Sequence, residues 1–252
     1  MRNVKILLAS VATAAFALAL VGEGPALAAG VSATIAAAVA NPARPAADTA
    51  RDAARKPAEV LEFSHVKSGD KVLELIPSAG YFSHLFSGAV GPNGRVYAAS
   101  PNFNPETGKP VGVKLVDPAF PNVIPIALGR TLSVPEPVDM IFTAQNYHDF
   151  HLSRLTLDVA ALDKGLFAAL KPGGLLIIED HAAVAGSDLT VPDKLHRINE
   201  DLVKQEVEAA GFVFDGESDV LRNPADPRTG SVFSAEIRGH TDQFLLRFHK
   251  PG

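Results

Sequence analysis

Two clusters of residues suited to proton transfer each follow an apolar run of the chain. The first cluster contains His148 and Asp149, and the second contains Asp180 and His181. A histidine side chain titrates near neutral pH, and a neighbouring aspartate fixes which ring nitrogen carries its proton. These residue types therefore predict general acid–base chemistry, in which His148 is the base and Asp149 or Asp180 orients it.

Two other interpretations of these residues remain open. Imidazole nitrogens and carboxylate oxygens also bind magnesium, manganese or zinc. The chain has no closely spaced ligand motif of the HExxH kind, however, and we predict no metal site. In a purely structural interpretation, Asp149 caps the following helix, while His148 and His151 are solvated.

A third group of polar residues lies later in the chain. His196 and Arg197 fall near the start of a helix predicted over residues 195–207. From there they can reach the space in front of both clusters, and the planar guanidinium of Arg197 suits an anionic substrate group. The alternative is that both side chains lie on the solvated face of the helix.

An apolar strand that runs directly into a helix precedes both clusters. The residues Val72 to Ile76 form a nearly continuous hydrophobic run, typical of a strand buried on both faces, and Pro77 to Gly80 form a turn of small residues. Tyr81 begins a segment with apolar residues at helical spacing. Because a helix start carries unpaired N–H groups and a partial positive charge, this turn predicts a site for a polar ligand.

Strands and helices alternate along most of the chain, which predicts an α/β fold with a largely parallel sheet. Ligands in such sheets bind beyond the carboxyl ends of the strands, so the two clusters are expected to face one space. The last strand alternates apolar and polar residues, which predicts an antiparallel edge strand. The further strands are predicted over residues 94–100, 122–128, 138–145, 175–180, 212–221 and 242–250, with helices over 152–170 and 195–207.

The strand, turn and helix resemble the first motif of the class I S-adenosylmethionine-dependent methyltransferases. In that motif an acidic residue in the strand precedes a glycine-rich turn, and Glu74 and Gly80 match its acid and its last glycine. Ile76 and Ser78 depart from the motif, because they stand where the family usually has glycines. Ser100 stands at the end of the second strand, where the family usually has an acid for the ribose hydroxyls.

The resemblance implies a Rossmann-like seven-stranded class I methyltransferase sheet, mostly parallel with an antiparallel last strand, and S-adenosylmethionine as cofactor. A closer resemblance, to exported bacterial predicted methyltransferases, is carried by the NYHD stretch, by Asp180 with His181, and by the LRNP turn at Leu221. The implied catalytic residues are His148, Asp149, Asp180 and His181. The implied cofactor-binding residues are Glu74, Pro77, Ser78, Gly80, Tyr81, Ser100 and Asn146.

The N-terminus has the pattern of a secretory signal peptide. Arg2 and Lys5 precede a mostly apolar run, and small residues follow up to Ala28, after which we predict cleavage. The run is short for spanning a bilayer, so no stable membrane anchor is expected after cleavage. We predict a periplasmic or secreted protein with a loosely ordered lead-in over residues 29–50 and a methyltransferase-like domain over residues 51–252.

The net charge and the lack of cysteine exclude several kinds of partner and site. The chain of 252 residues has a formal net charge of −5, which argues against nucleic acid, and it lacks cysteine, which excludes disulfides, thiol catalysis and zinc–thiolate sites. A small molecule or an exposed group is therefore the expected acceptor. Because S-adenosylmethionine is made in the cytosol, export favours an alternative, a methyltransferase-fold protein that has lost methyl transfer and binds or acts on another ligand. A weaker alternative is an interaction module.

Overall fold

The computed structural model describes residues 31–101, 117–129 and 132–252, together with Met1. The predicted signal peptide and its cleavage site after Ala28 lie outside the described residues. Within the described part of the chain, no helix combines the length and apolar character needed to cross a membrane.

Seven strands form one mixed sheet in the order β3-β2-β1-β4-β5-β7-β6. The strand β7 runs antiparallel to both of its neighbours, and every other adjacent pair is parallel. This confirms the predicted α/β fold with an antiparallel last strand. The strands are β1 Lys71–Leu75, β2 Arg95–Pro101, β3 Val123–Leu128, β4 Val138–Ala144, β5 Leu170–His181, β6 Val213–Ser218 and β7 Gln243–His249.

The prediction of β7 as an edge strand is wrong, because β7 lies between β5 and β6 and the edge is β6. Phe244 and Leu246 pack into the core on one face of the sheet, and Leu245 packs into the core on the other face. The alternation in the sequence therefore does not mark a solvated face.

Eight α-helices are assigned in the described residues. They are α1 Ala33–Val39, α2 Ala46–Thr49, α3 Asp52–Arg55, α4 Pro57–Ser64, α5 Tyr81–Val90, α6 Val159–Ala169, α7 Val191–Leu195 and α8 Glu200–Ala209. The helix predicted over 152–170 is shorter than expected, since the 3₁₀ turns His148–His151 and Ser153–Leu155 precede α6. The helix predicted over 195–207 is divided, because His196 adopts a left-handed conformation between α7 and α8.

The residues predicted as a loosely ordered lead-in are helical and packed where the structure describes them. Ile35 and Ala38 of α1 are buried against α5. A Cβ atom added to Gly88 of α5 would lie only 2.9 Å from the Cβ of Ala38. The small side chains that suggested disorder instead allow the two helices to approach closely, which corrects that part of the prediction.

Candidate functional site

The turn after β1 has a backbone that glycine adopts without strain. Ile76, Ser78 and Gly80 have φ angles of 52°, 54° and 89°. For a residue with a Cβ atom, the left-handed region costs roughly 1–2 kcal/mol, and for a β-branched residue it is a rare conformation. Strain of this kind is concentrated at functional sites in proteins. The turn therefore keeps the backbone shape of a glycine-rich loop even where its sequence departs from one.

A polar cleft of about 160 Å³ lies at this turn. Five of the predicted cofactor-binding residues line it, namely Glu74, Pro77, Ser78, Tyr81 and Asn146. A sixth, Gly80, is the N-cap residue of α5 beside the cleft. The structure thus brings most of the predicted set together.

Ser100, another predicted cofactor-binding residue, does not line the polar cleft. It lies in β2, partly exposed, and pairs with Ala127 of β3. Its neighbour Pro101 instead lines a second, apolar cavity.

Two arginines that the sequence analysis missed also line the polar cleft. The Arg55 guanidinium lies 4.7 Å from the ring centroid of Tyr81, and that of Arg51 lies 5.3 Å from it. The Tyr81 hydroxyl donates a hydrogen bond of 2.7 Å to Asp52, which fixes the ring. Both arginines come from the segment before β1, where no motif marks them, so only the packing of α3 against α5 reveals them.

Two buried carboxyl groups lie near Arg55. Glu74 accepts a hydrogen bond from the Ser83 hydroxyl, and Glu179 lies 3.6 Å from the Arg55 guanidinium. Burial raises the pKa of each of these glutamates to about 7, although the charge of Arg55 opposes the shift. Glu74, which lines the polar cleft, and Glu179, beside Arg55, therefore change charge near neutral pH.

An apolar cavity of about 170 Å³ lies on the other side of the turn. It is lined mainly by aliphatic and aromatic side chains from the ends of β1, β2 and β3 and from the loop after β4. Ile76 lines both this cavity and the polar cleft. Other lining residues include Pro101, Leu128, Phe150, Leu155 and Leu162.

The two predicted catalytic clusters meet, as expected from the parallel pairing of β4 and β5. The Nδ1 atom of His148 lies 2.8 Å from Asp180 Oδ1, and its Nε2 atom lies 3.3 Å from Asp149 Oδ1. Burial opposes a charge on this ring, but the carboxylates of Asp180 and Asp149 outweigh burial and raise the pKa of His148 to about 10.

The state of His148 does not suit a general base. The side chain is buried, and both ring nitrogens face carboxylates, so at neutral pH it is an imidazolium with no lone pair to accept a proton. The interpretation of His148 and His151 as solvated is also wrong, since His151 Nε2 lies 3.0 Å from Glu206. Nor does Asp149 cap the next helix, because Asp158 is the N-cap residue of α6.

His181 occupies a different environment from His148. It lines a cavity of about 580 Å³, and its Nδ1 atom lies 2.7 Å from the Thr241 hydroxyl. Burial and the nearby positive charges of His148, Arg197 and Arg55 lower the pKa of His181 to about 4, although Asp180 opposes the shift. Its ring is therefore neutral at neutral pH.

Arg197 has neither of its two predicted roles. Its side chain is completely buried, and its guanidinium donates hydrogen bonds to the carbonyl oxygens of Ala182 and Gly230. It also forms an ion pair of 2.8 Å with Asp226 in the turn that follows Leu221. Arg197 therefore connects that turn to the end of β5 through hydrogen bonds and an ion pair. Its guanidinium is accessible neither to substrate nor to solvent.

No family model matches the sequence, and no curated protein matches it. Solved structures do resemble the fold. A SAM-dependent methyltransferase from Aquifex aeolicus has 20% sequence identity and a TM-score of 0.50, covering 76% of this chain and 87% of its own. The fold is that of the class I methyltransferases.

Two further structures show the range of chemistry on this fold. An arsenic(III) S-adenosylmethionine methyltransferase from Chlamydomonas reinhardtii has 14% identity and a TM-score of 0.51, covering 87% of this chain and 73% of its own. The [4+2]-cyclase SpnF has 17% identity and a TM-score of 0.52, covering 82% of this chain and 81% of its own. Methyl transfer is thus not the only activity found on this fold.

Proposed function

We propose that this protein transfers a methyl group from S-adenosylmethionine to an anionic small-molecule acceptor. The observation that carries the proposal is the pairing of a polar cleft with an apolar cavity on the two sides of Ile76. S-adenosylmethionine has the same division of polarity, with a charged amino acid at one end and an aromatic base at the other. The strained turn lies between the cleft and the cavity and leads into α5. The start of this helix would face the charged amino acid end of the cofactor.

The residues of the polar cleft suit the amino acid end of this cofactor. The exposed Ser78 and the side-chain amide of Asn146 provide neutral hydrogen-bonding groups, and Arg51 and Arg55 provide positive charge for a carboxylate. The apolar cavity suits the adenine ring. Ser100 remains the proposed contact for the ribose, next to Pro101, which lines that cavity.

The cavity of about 580 Å³ suits the acceptor because it adjoins the polar cleft through Arg51, Arg55 and Gln145, which line both. Its described lining residues include three arginines, with Arg238 as the third, and no aspartate or glutamate. A cavity with this charge favours an acceptor that carries a carboxylate, phosphate or similar group.

The chemistry assigns a proton-accepting role to His181. When bound, S-adenosylmethionine would supply an electrophilic methyl group to a lone pair of the acceptor, with S-adenosylhomocysteine as the leaving product. His181 lines the acceptor cavity, and its Nδ1 atom is held by Thr241. With Nδ1 donating to Thr241, Nε2 is free to take the proton of the acceptor. Asp180, His148 and Asp149 then position the loops around this ring.

Two observations favour the second candidate, a protein of this fold that no longer methylates. The polar cleft is smaller than the usual range of roughly 300–1,000 Å³ for ligand pockets. Ile76 and Ser78 place side chains where the related motif has none, and Ile76 lies between the two spaces. Under this alternative, the polar cleft binds another ligand that is smaller than S-adenosylmethionine.

Calorimetry distinguishes these candidates. We would titrate S-adenosylmethionine into the mature chain, beginning at Ala29, and into Ile76→Gly and Ser78→Gly variants. Micromolar binding that tightens in the glycine variants supports the methyltransferase, because glycine relieves strain and widens the cleft. Absence of binding in all three proteins contradicts it and favours the second candidate.

A matched pair of buried acids tests where the cofactor binds. Glu74→Gln alters the polar cleft and is expected to weaken the binding of S-adenosylmethionine at least tenfold. Asp163→Asn changes another buried acid with a raised pKa, which lies beside Tyr147 on the far side of the sheet. This substitution is expected to leave the binding of S-adenosylmethionine unchanged. Equal effects of the two substitutions would contradict the assigned cleft.

Acceptor chemistry is tested by the release of S-adenosylhomocysteine. We would compare carboxylated and phosphorylated alcohols, phenols and amines with their neutral analogues. A preference for the anionic members that is lost in Arg238→Gln supports the acceptor cavity. His181→Asn is expected to lower kcat without weakening binding of S-adenosylmethionine, and an unchanged kcat would remove His181 from the reaction.

A further inference from the structure

Three side chains from two separate parts of the chain converge beside the predicted catalytic clusters. They are His148 and Asp149, in the 3₁₀ turn after β4, and His196, at the end of α7. One nitrogen or oxygen atom from each of the three lies within 4.8 Å of the other two. His148 and Asp149 are among the residues that the sequence suggests as metal ligands, whereas His196 has no sequence signal of that kind.

Two of the three distances between these atoms match a tetrahedral zinc ion. Zinc binds histidine nitrogen and carboxylate oxygen at roughly 2.0–2.2 Å, so two ligands at a tetrahedral angle lie roughly 3.3–3.6 Å apart. Asp149 Oδ1 lies 3.3 Å from His148 Nε2 and 3.6 Å from His196 Nδ1. The carboxylate therefore lies at about the required distance from both imidazoles, whose two nitrogens lie within 4.8 Å of each other.

Asp180 supplies the outer contact that a zinc-binding histidine usually has. Its Oδ1 atom lies 2.8 Å from His148 Nδ1, which leaves Nε2 directed toward Asp149. A carboxylate behind the ring fixes the tautomer and makes the metal-facing nitrogen a better ligand. The buried Asp180 thus orients the His148 ring for a cation, and it also holds the backbone of the neighbouring loop.

His196 is held in place by its surroundings. It adopts a left-handed conformation with a φ angle of 53°, which is costly for a residue other than glycine. The exposed Phe233 packs edge-on against its ring at 4.8 Å between centroids. A hydrogen bond of 3.1 Å from the Ser153 amide to Asp193 ties α7 to the loop that carries the other two side chains.

We propose that His148 Nε2, Asp149 Oδ1 and His196 Nδ1 bind a zinc ion, with Asp180 as the outer partner of His148. The side chains of Asp149 and His196 are about a third exposed, at 30% and 27%, so a fourth position is open to water. Binding would replace the proton of His148 by the cation and join α7 to the loop after β4. Asp149 also lines the apolar cavity, but no residue of this site lines the polar cleft, and zinc binding is measured in the absence of S-adenosylmethionine.

A zinc titration into the tag-free protein tests this site at neutral pH. We expect one zinc ion per chain with a micromolar or tighter dissociation constant, and a rise in Tm when zinc is added. Asp149→Asn and His196→Ala are chosen because both side chains are partly exposed and their loss leaves the buried pair of His148 and Asp180 intact. Each is expected to weaken zinc binding at least tenfold and to abolish the rise in Tm.

Cobalt provides a readout that a structural ion pair would not give. Cobalt(II) bound at this site is expected to show the intense visible absorption of a tetrahedral complex, and zinc is expected to displace it. His249→Ala is the matched control, because His249 lies beside Asp215 at 3.9 Å at the other end of the sheet. It is expected to leave the cobalt spectrum unchanged.

Two outcomes would overturn the proposal. Wild-type protein that binds no zinc at millimolar concentration would show that the cluster is only a chain of ion pairs around a protonated His148. Zinc binding that is unchanged in both Asp149→Asn and His196→Ala would place the ion elsewhere on the protein.

Discussion

Asp180 holds both the ring and the backbone of His148. Its Oδ1 atom lies 2.8 Å from His148 Nδ1, and its Oδ2 atom accepts a hydrogen bond of 2.7 Å from the His148 amide. It also accepts a hydrogen bond from the backbone amide of His181. One buried carboxylate at the end of β5 thereby fixes the conformation of the loop that follows β4.

Replacing this carboxylate is expected to destabilise the protein. Asp180→Asn leaves the charged His148 ring buried without its main partner, and loss of one partner of a buried pair costs roughly 3–5 kcal/mol. Urea denaturation measures the change in the free energy of unfolding. Asp219→Asn, at a side chain that is 90% exposed, is expected to change it by less than about 0.5 kcal/mol. Similar values for the two variants would contradict the importance of the Asp180 contacts.

The strained turn after β1 gives a second prediction. Ser78 is exposed and has a φ angle of 54°, so Ser78→Gly removes left-handed strain and loses few contacts. The strain relieved exceeds the extra entropy lost by glycine, and we expect a net stabilisation of roughly 0.5 kcal/mol. Thermal denaturation checks this. Ser78→Ala keeps the Cβ atom and is expected to give no such gain, so equal Tm values for Gly and Ala would disprove the strain.

The buried Asp163 predicts a pH-dependent stability. Its side chain is fully buried beside Tyr147, and burial, with a contribution from Glu206, raises its pKa to about 7 despite the hydrogen bond from Tyr147 and the charge of His151. An acid with a raised pKa binds its proton more tightly in the folded state. Its contribution to stability is therefore lost as the pH rises from about 4 to about 7.

Asp163→Asn removes that dependence, because an amide stays neutral at every pH. We expect the variant to exceed the wild type in free energy of unfolding by roughly 2–4 kcal/mol at pH 8 and by little near pH 4. Urea denaturation across this range measures the difference. Glu208→Gln, on the exposed side of α8, is the control and is expected to follow the wild-type curve. A constant offset between Asp163→Asn and the wild type would rule out titration of Asp163.

The packing of α1 on α5 gives a fourth prediction. A Cβ atom at Gly88 would lie 2.9 Å from the Cβ and 3.0 Å from the Cα of Ala38, so Gly88→Ala forces the two helices apart. We expect a loss of roughly 1–3 kcal/mol and faster amide hydrogen exchange across Ala33–Val39. Gly165→Ala in α6 is the control, because its Cβ would make an ordinary contact of 3.6 Å with Leu132. Unchanged exchange in Gly88→Ala would mean that α1 does not pack as described.

The alternation of apolar strands and helices was sufficient to predict the fold class. The run from Val72 to Leu75 predicted a buried strand because its apolar residues occupy both faces, and the small residues before Gly80 predicted the turn at the start of α5. The meeting of the two proton-transfer clusters also followed from the sequence, because the carboxyl ends of parallel strands lie at one edge of a sheet.

Burial, charge state and contacts across the sheet depended on the tertiary structure. His148 lies in the 3₁₀ turn after β4 and His181 ends the adjacent strand β5, yet His148 is charged between two carboxylates and His181 is neutral beside Thr241. Arg55 and His196 enter the site from segments far away along the chain, and β7 lies inside the sheet because apolar side chains cover both of its faces. Local sequence does not carry these facts, since the free energy of a charge depends on which groups the completed fold places around it.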